Sequence, residues 1–140
     1  MDLSLPIKRT LPGALPWNKF TAAKNRLASN ALTNSDMLTR LSQKDNAQLQ
    51  SRIAENPNTD EETLEVLSHH QSSEVRSAVA QNNATTQSIV DSLADDADPD
   101  VRYAIAENAN TSSAILQRLS EDENPYVQER AKRTQYRLDH

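Results

Sequence analysis

Apolar residues fall along this chain in two alternating short patterns. In one, Val75, Ala78 and Val79, then Val101, Ala104 and Ile105, stand at the i, i+3, i+4 spacing of a buried helical stripe. In the other, Ile89, Val90 and Leu93 stand at i, i+1 and i+4, again on one helical face, and Met37-Leu38-Leu41, Thr63-Leu64-Leu67 and Ile115-Leu116-Leu119 repeat it. Polar connectors separate the patterns, such as Asp95-Asp96-Ala97-Asp98-Pro99-Asp100 and Glu121-Asp122-Glu123-Asn124-Pro125. The reading is a succession of paired short helices. The pairs return every 26 residues without a gap: alanine at 28, 54, 80 and 106, asparagine at 30, 56, 82 and 108, threonine at 33, 59, 85 and 111, and leucine at 41, 67, 93 and 119. A unit this small cannot bury its apolar stripe alone, so neighbouring units must stack to do it.

The connector chemistry suggests how the helices begin and end. Thr85 and its equivalents are N-cap candidates, since a hydroxyl can accept from the free N–H groups of a first turn. Asp60-Glu61-Glu62 places negative charge where a helix N-terminus favours it. Pro99 and Pro125 suit the first helical position, where no N–H is missed. The asparagine column closes the second helix of each pair, either by tolerating a left-handed conformation or by capping free carbonyls. The asparagines, with Asn58, Asn83 and Asn110 just beyond, thus take the duty that glycine would otherwise perform.

Composition fits this picture. The 140 residues include one glycine, Gly13, and no cysteine. Glycine normally supplies the positive-φ residues of tight β-turns, so its scarcity argues for helices over an all-β fold. It also removes glycine-rich phosphate loops, dinucleotide fingerprints and nucleophile elbows. Without cysteine there is no disulfide scaffold or thiolate nucleophile. His69-His70 offers no metal site, because adjacent residues do not share a helix face and no third ligand is evident. The acidic runs lack the glycine and alternation of a calcium loop. No cofactor is expected. No apolar run is long enough to span a membrane and no secretory leader is visible, so a cytoplasmic location is expected.

The Val-Arg-x-Ala-Val-Ala-x-Asn segment at 75–82, followed by Thr85 and a Leu-type helix, resembles the leucine-rich repeat variant family, a relative of HEAT-like helical repeats. The resemblance covers about residues 23–133. It implies a right-handed superhelix in which α-helices stack against shorter, often 3₁₀, helices. One relative in that family carries a cysteine-ligated iron–sulfur module, which this chain cannot hold. The connector and Val-Arg also resemble the HEAT-like repeats of bilin lyases. The expected architecture is an all-α, right-handed superhelical solenoid (an α-α superhelix) of four 26-residue two-helix repeats with terminal caps. Residues 1–22 form a proline-containing N-terminal segment, 23–126 the four repeats and 127–140 a C-terminal capping helix. In the first of these, Pro6, Pro12, Gly13 and Pro16 are read as helix breakers. In the last, Val127, Ala131 and Leu138 are read as an apolar stripe.

Charge is partitioned along the chain: +4 over 1–35, −11 over 36–126 and +2 over 127–140. The acidic body disfavours nucleic acid. The basic ends are compatible with a monomer or with weak head-to-tail self-association. The expected function is a non-catalytic protein-binding or scaffolding module with a protein partner and no enzyme activity. The candidate partner-binding residues are Trp17 and Phe20 in the N-terminal segment, Arg76, Arg102 and Tyr103 in the repeats, and Tyr126, Arg130 and Arg133 in the C-terminal cap. Arg76 and Arg102 also have a plain alternative as exposed ion-pair partners of Glu74, Asp100 or other connector carboxylates. Trp17 and Phe20 either cap the first repeat or form a docking peptide. Two other classes remain: a HEAT-like nucleic-acid-binding protein or DNA glycosylase relative, and a bilin lyase-like chaperone. The glycosylases use tryptophans in a basic groove, whereas Trp17 stands outside the repeats.

Overall fold

A computed structural model describes residues 16–140, with side chains from Phe20 onward. Among the described residues there are nine α-helices and no strand: α1 Pro16–Ser29, α2 Ser35–Ser42, α3 Ala47–Glu55, α4 Glu61–Ser68, α5 Ser73–Gln81, α6 Gln87–Leu93, α7 Pro99–Glu107, α8 Ser113–Leu119 and α9 Pro125–Asp139. None is long and apolar enough to cross a membrane. The odd-numbered helices form one row, α1 on α3, α3 on α5, α5 on α7 and α7 on α9. The even-numbered helices form a second layer against that row. One apolar cluster runs between the layers from Ala28 to Ala131. The alanine column is fully buried in the row, where its small side chain allows close helix approach, and the leucine column fills the space under the even-numbered helices. The short second-layer helices are α-helical, not the 3₁₀ turns that the family resemblance implies.

The threonine column has a different duty from the expected one. Each hydroxyl donates backward to the carbonyl six residues earlier: Thr33 to Leu27, Thr59 to Ile53, Thr85 to Val79 and Thr111 to Ile105, at 2.5–2.7 Å. It thus satisfies a free carbonyl at the end of the preceding helix. The N-caps stand one residue later, at Asn34, Asp60, Thr86 and Ser112. The acidic first turn at Glu61 and Glu62, and the prolines at the first position of α7 and α9, are where the sequence puts them.

The asparagine column is not left-handed. No described residue has positive φ, and Asn56, Asn82 and Asn108 sit in extended conformation. Their side chains link neighbouring units. The Asn56 amide donates to the Ala28 and Asn30 carbonyls (2.8 and 2.9 Å), that of Asn82 to Ala54 and Asn56 (2.7 and 3.0 Å), and that of Asn108 to Ala80 (2.8 Å). The same side chains accept, through Oδ1, from the backbone N–H two residues on, at Asn58, Ala84 and Asn110. One amide therefore shapes the turn after a helix and ties that turn to the unit before it. Asn58 repeats the backward link by donating to the carbonyls of Ala31 and Thr33.

The two ends depart from the repeat. Pro16 opens α1 instead of breaking it, because a helix's first residue has no intrahelical use for an N–H. The expected boundary at residue 22 therefore falls inside a helix, and residues 1–15 lie outside the described residues. At the other end the asparagine column is replaced by Thr134. The row helices α3, α5 and α7 stop just before an asparagine, after 9 residues each, whereas α9 continues for 15. Val127, Ala131 and Thr134 are buried, but Leu138 is 48% exposed, because the last turns of α9 extend beyond the layer that α7 and α8 provide. The apolar stripe expected through Leu138 ends at Thr134.

Candidate functional site

Two of the expected site residues, Arg76 and Arg102, form a repeated clamp. Arg102 sits on α7 with its side chain beneath the following connector. Its Nε and Nη2 donate to the two oxygens of Asp122 (2.8 and 3.1 Å), and Nη1 donates to the carbonyls of Asp96 and Ala97 (2.8 and 3.4 Å). Arg76 on α5 does the same with Asp96 (2.7 and 3.1 Å) and the carbonyls of His70 and Gln71 (2.7 and 3.0 Å). Each carboxylate also accepts a backbone N–H, from Asn124 or Asp98. The partners are connector carboxylates, as expected, but they are the aspartates 20 residues ahead and not Glu74 or Asp100. Nor are these exposed pairs: the Arg102 and Asp122 side chains are 10% and 8% exposed. The fork geometry of guanidinium on carboxylate makes each clamp a bidentate link between successive connectors.

The electrostatics follow from this geometry. Burial pushes the Asp96 carboxyl up. The hydrogen bond from Arg76, the N–H of Asp98 and the charges of Arg76 and Arg102 outweigh that and leave it below its ordinary value. Asp122 is held low in the same way by Arg102 and the N–H of Asn124, against burial. The guanidiniums are correspondingly raised by the hydrogen bonds of their aspartates. Both arginines are thus engaged within the chain and offer little free donor capacity to a partner.

The clamp weakens toward the N-terminus. In the preceding unit its two positions hold Gln50 and His70. His70 Nδ1 accepts the Ser72 N–H (2.9 Å) as the aspartates accept theirs, and Gln50 Nε2 donates to the Ser42 carbonyl (3.0 Å). Gln50 Oε1 is buried without a partner. A Gln50→Arg, His70→Asp double variant should complete a third clamp and raise stability by about 1 kcal/mol in urea unfolding. Gln50→Arg alone should lower it, because the guanidinium would then lie against an imidazole.

The remaining expected residues are dispersed. Tyr103 on α7 is half-buried against the core, and Tyr126 at the start of α9 is 77% exposed. The structure brings these two together, lining one shallow cavity of about 320 Å³ with Asp100. Asp100 also borders a second cavity of about 330 Å³ between α3 and α5, where Glu55 and Glu74 stand beside Ser51 and Ser77. No lysine or arginine lines either cavity. Glu55, Glu74 and Asp100 form no ion pair with a described residue. The sequence marked Glu74 and Asp100 only as ion-pair partners of the arginines and did not single out Glu55. Their signal was the 26-residue register of Glu74 with Asp100. Arg130 binds Glu107 at 3.2 Å, and Arg133 binds Glu129 at 2.8 Å on the exposed side of α9. Phe20 is exposed on α1 and lines neither of these cavities; Trp17 lies in the first turn of α1 and its side chain is outside the described residues. Among the described residues no group of three His, Asp or Glu side chains could hold a metal ion. The chain matches no family profile, no characterised protein and no solved structure.

Proposed function

We propose that this chain is a non-catalytic protein-binding module: four 26-residue units of the leucine-rich repeat variant type, stacked as a right-handed superhelical solenoid that displays one side of the α3–α5–α7–α9 row to a partner protein. The observation that carries the reading is a division of labour among repeat positions. The asparagine and threonine columns keep their identity in every unit, and their polar atoms bind within the chain. The face positions change from unit to unit: Gln48, Glu74, Asp100 and Tyr126 in one column, Ser51, Ser77, Tyr103 and Glu129 in another. Constant residues hold the stack together, and variable ones give its face a particular chemistry. That face combines carboxylates that pair with no described cation with two tyrosines, a side chain suited to anchoring an interface. Its acidity favours a protein over a phosphate backbone.

The test is an affinity pull-down with chemical cross-linking from the source cells, using the intact chain and a Tyr103→Ser, Tyr126→Ser variant. The expected result is a stoichiometric protein partner cross-linked near α5 and α7 and depleted by the variant. A partner retained in full by the variant moves the interface elsewhere, to Trp17 and Phe20 first. Recovery of no stoichiometric partner sinks the module reading.

A further inference from the structure

Ser51 on α3 is 5% exposed and lines the cavity between α3 and α5. Its hydroxyl bonds no described residue and is not sealed from solvent, so it opens into that cavity. Buried hydroxyls elsewhere in the repeats are used within the chain: those of Thr59 and Thr111 each donate to a carbonyl. Glu55, in the same cavity, is the last residue of α3. A helix C-terminus disfavours negative charge. Yet Glu55 meets no described cation, whereas Glu107, its equivalent at the end of α7, pairs with Arg130. Glu74 and Asp100 add to the cavity's charge from the first turns of α5 and α7. Helix starts account for those two carboxylates. Stability accounts for neither Glu55 nor the unused Ser51 hydroxyl.

We propose that this cavity receives an arginine side chain from an extended segment of the partner protein, an inference that rests on the protein-binding reading. The described carboxylates form no group that could hold a metal ion, so a point charge finds no closed shell here. A guanidinium needs none. It meets one carboxylate with two of its five N–H donors, keeps others for the Ser51 hydroxyl, and takes the field of the remaining carboxylates at longer range. The chain uses the same chemistry internally, where the Arg102 guanidinium meets both oxygens of Asp122 and two carbonyls. In the α3–α5 cavity it supplies the acceptors alone, since no lysine or arginine lines the walls. Asp100 also borders the cavity of Tyr103 and Tyr126, so the arginine lies beside the tyrosine anchor.

The experiment is a ¹⁵N NMR titration of the whole chain with the synthetic peptide Ser-Arg-Ser-Arg-Ser. Two further peptides carry lysine, or the neutral isostere citrulline, in place of arginine. The arginine peptide should give saturable shifts centred on Ser51, Glu55, Glu74 and Ser77. The lysine peptide should bind at least about threefold more weakly and the citrulline peptide not at all. Glu55→Gln and Glu74→Gln should each weaken binding of the arginine peptide at least about fivefold. Glu62→Gln on α4 removes the same charge from the second layer and should leave binding unchanged. Ser51→Ala should weaken binding about threefold and leave the unfolding midpoint at or above the parent's, because its hydroxyl makes no bond within the chain. A serine with a structural role alone would lower the midpoint and spare the affinity. Shifts that grow linearly with peptide, equal binding of the lysine peptide, or indifference to Ser51→Ala and Glu55→Gln would overturn the arginine site. Failure of the protein-binding reading is distinguishable, since the pull-down decides it by whether a stoichiometric partner is recovered.

Discussion

Asn82→Gly should destabilise the chain at least as much as Asn82→Ala, by about 2–4 kcal/mol in urea unfolding. The Asn82 side chain, 6% exposed, makes three hydrogen bonds to backbone: two donated to carbonyls of the preceding unit and one accepted from the Ala84 N–H. Either truncation leaves those groups without a partner in a place water reaches poorly, and unmade buried hydrogen bonds are the costly kind. The comparison with glycine separates two explanations of the asparagine column. Were the residue there to tolerate a left-handed backbone, glycine would be neutral or better. With φ at −75° it gains nothing from that freedom and loses the side chain. Asn82→Asp should be no milder, because one carboxylate oxygen would then face two carbonyl oxygens. A glycine variant as stable as the parent would remove the inter-unit link from the account of this fold.

The second large effect belongs to the last clamp. Arg102→Met or Asp122→Asn should each cost about 3 kcal/mol, since either leaves the opposite charge, largely buried, without its partner. Arg102→Lys should rescue little, as an ammonium cannot span both oxygens of Asp122 and two carbonyls. The pH dependence gives an independent check. The Asp122 carboxyl is lowered in the folded chain from its ordinary 3.8, so the unfolded state binds the proton first as pH falls. Its contribution is therefore fully present above pH 3.8 and is lost as pH falls through the folded value. Asp96 behaves likewise. In urea unfolding followed from neutral pH downward, the deficit of Asp122→Asn relative to the parent should stay constant to about pH 4 and shrink below it. A deficit that does not change with acid would show that the carboxylate charge contributes nothing through this clamp.

The four columns carried most of what could be read without coordinates. Their 26-residue phase, with apolar spacing at i, i+3 and i+4, marks two helices per period, because burial of a helix stripe depends only on residues close in sequence. That same local logic located Pro99 and Pro125 at helix starts and Asp60 to Glu62 at the head of α4. It misplaced what depends on where a side chain points. Thr85 and Thr86 are adjacent, and both can cap; the packing of α5 against the turn decides that the first hydroxyl reaches back to Val79 and the second stands at the N-cap.

Of the candidate face, the sequence supplied Tyr103 and Tyr126 as unusual residues in otherwise small or polar columns. It did not show that they share a cavity, or that Asp100, Glu74 and Glu55 continue from it along the row. Those residues come together because row helices pack at intervals of one unit, a distance that enters only when the units stack. The sequence by itself determined the helices, their period and the buried columns, all of which follow from spacing along one chain. The tertiary structure alone decided the direction of the polar links: Asn82 backward by 26 and 28 residues, Arg102 forward by 20. A strictly periodic sequence reads the same toward either neighbour, and only the stacked units give each donor its nearest acceptor.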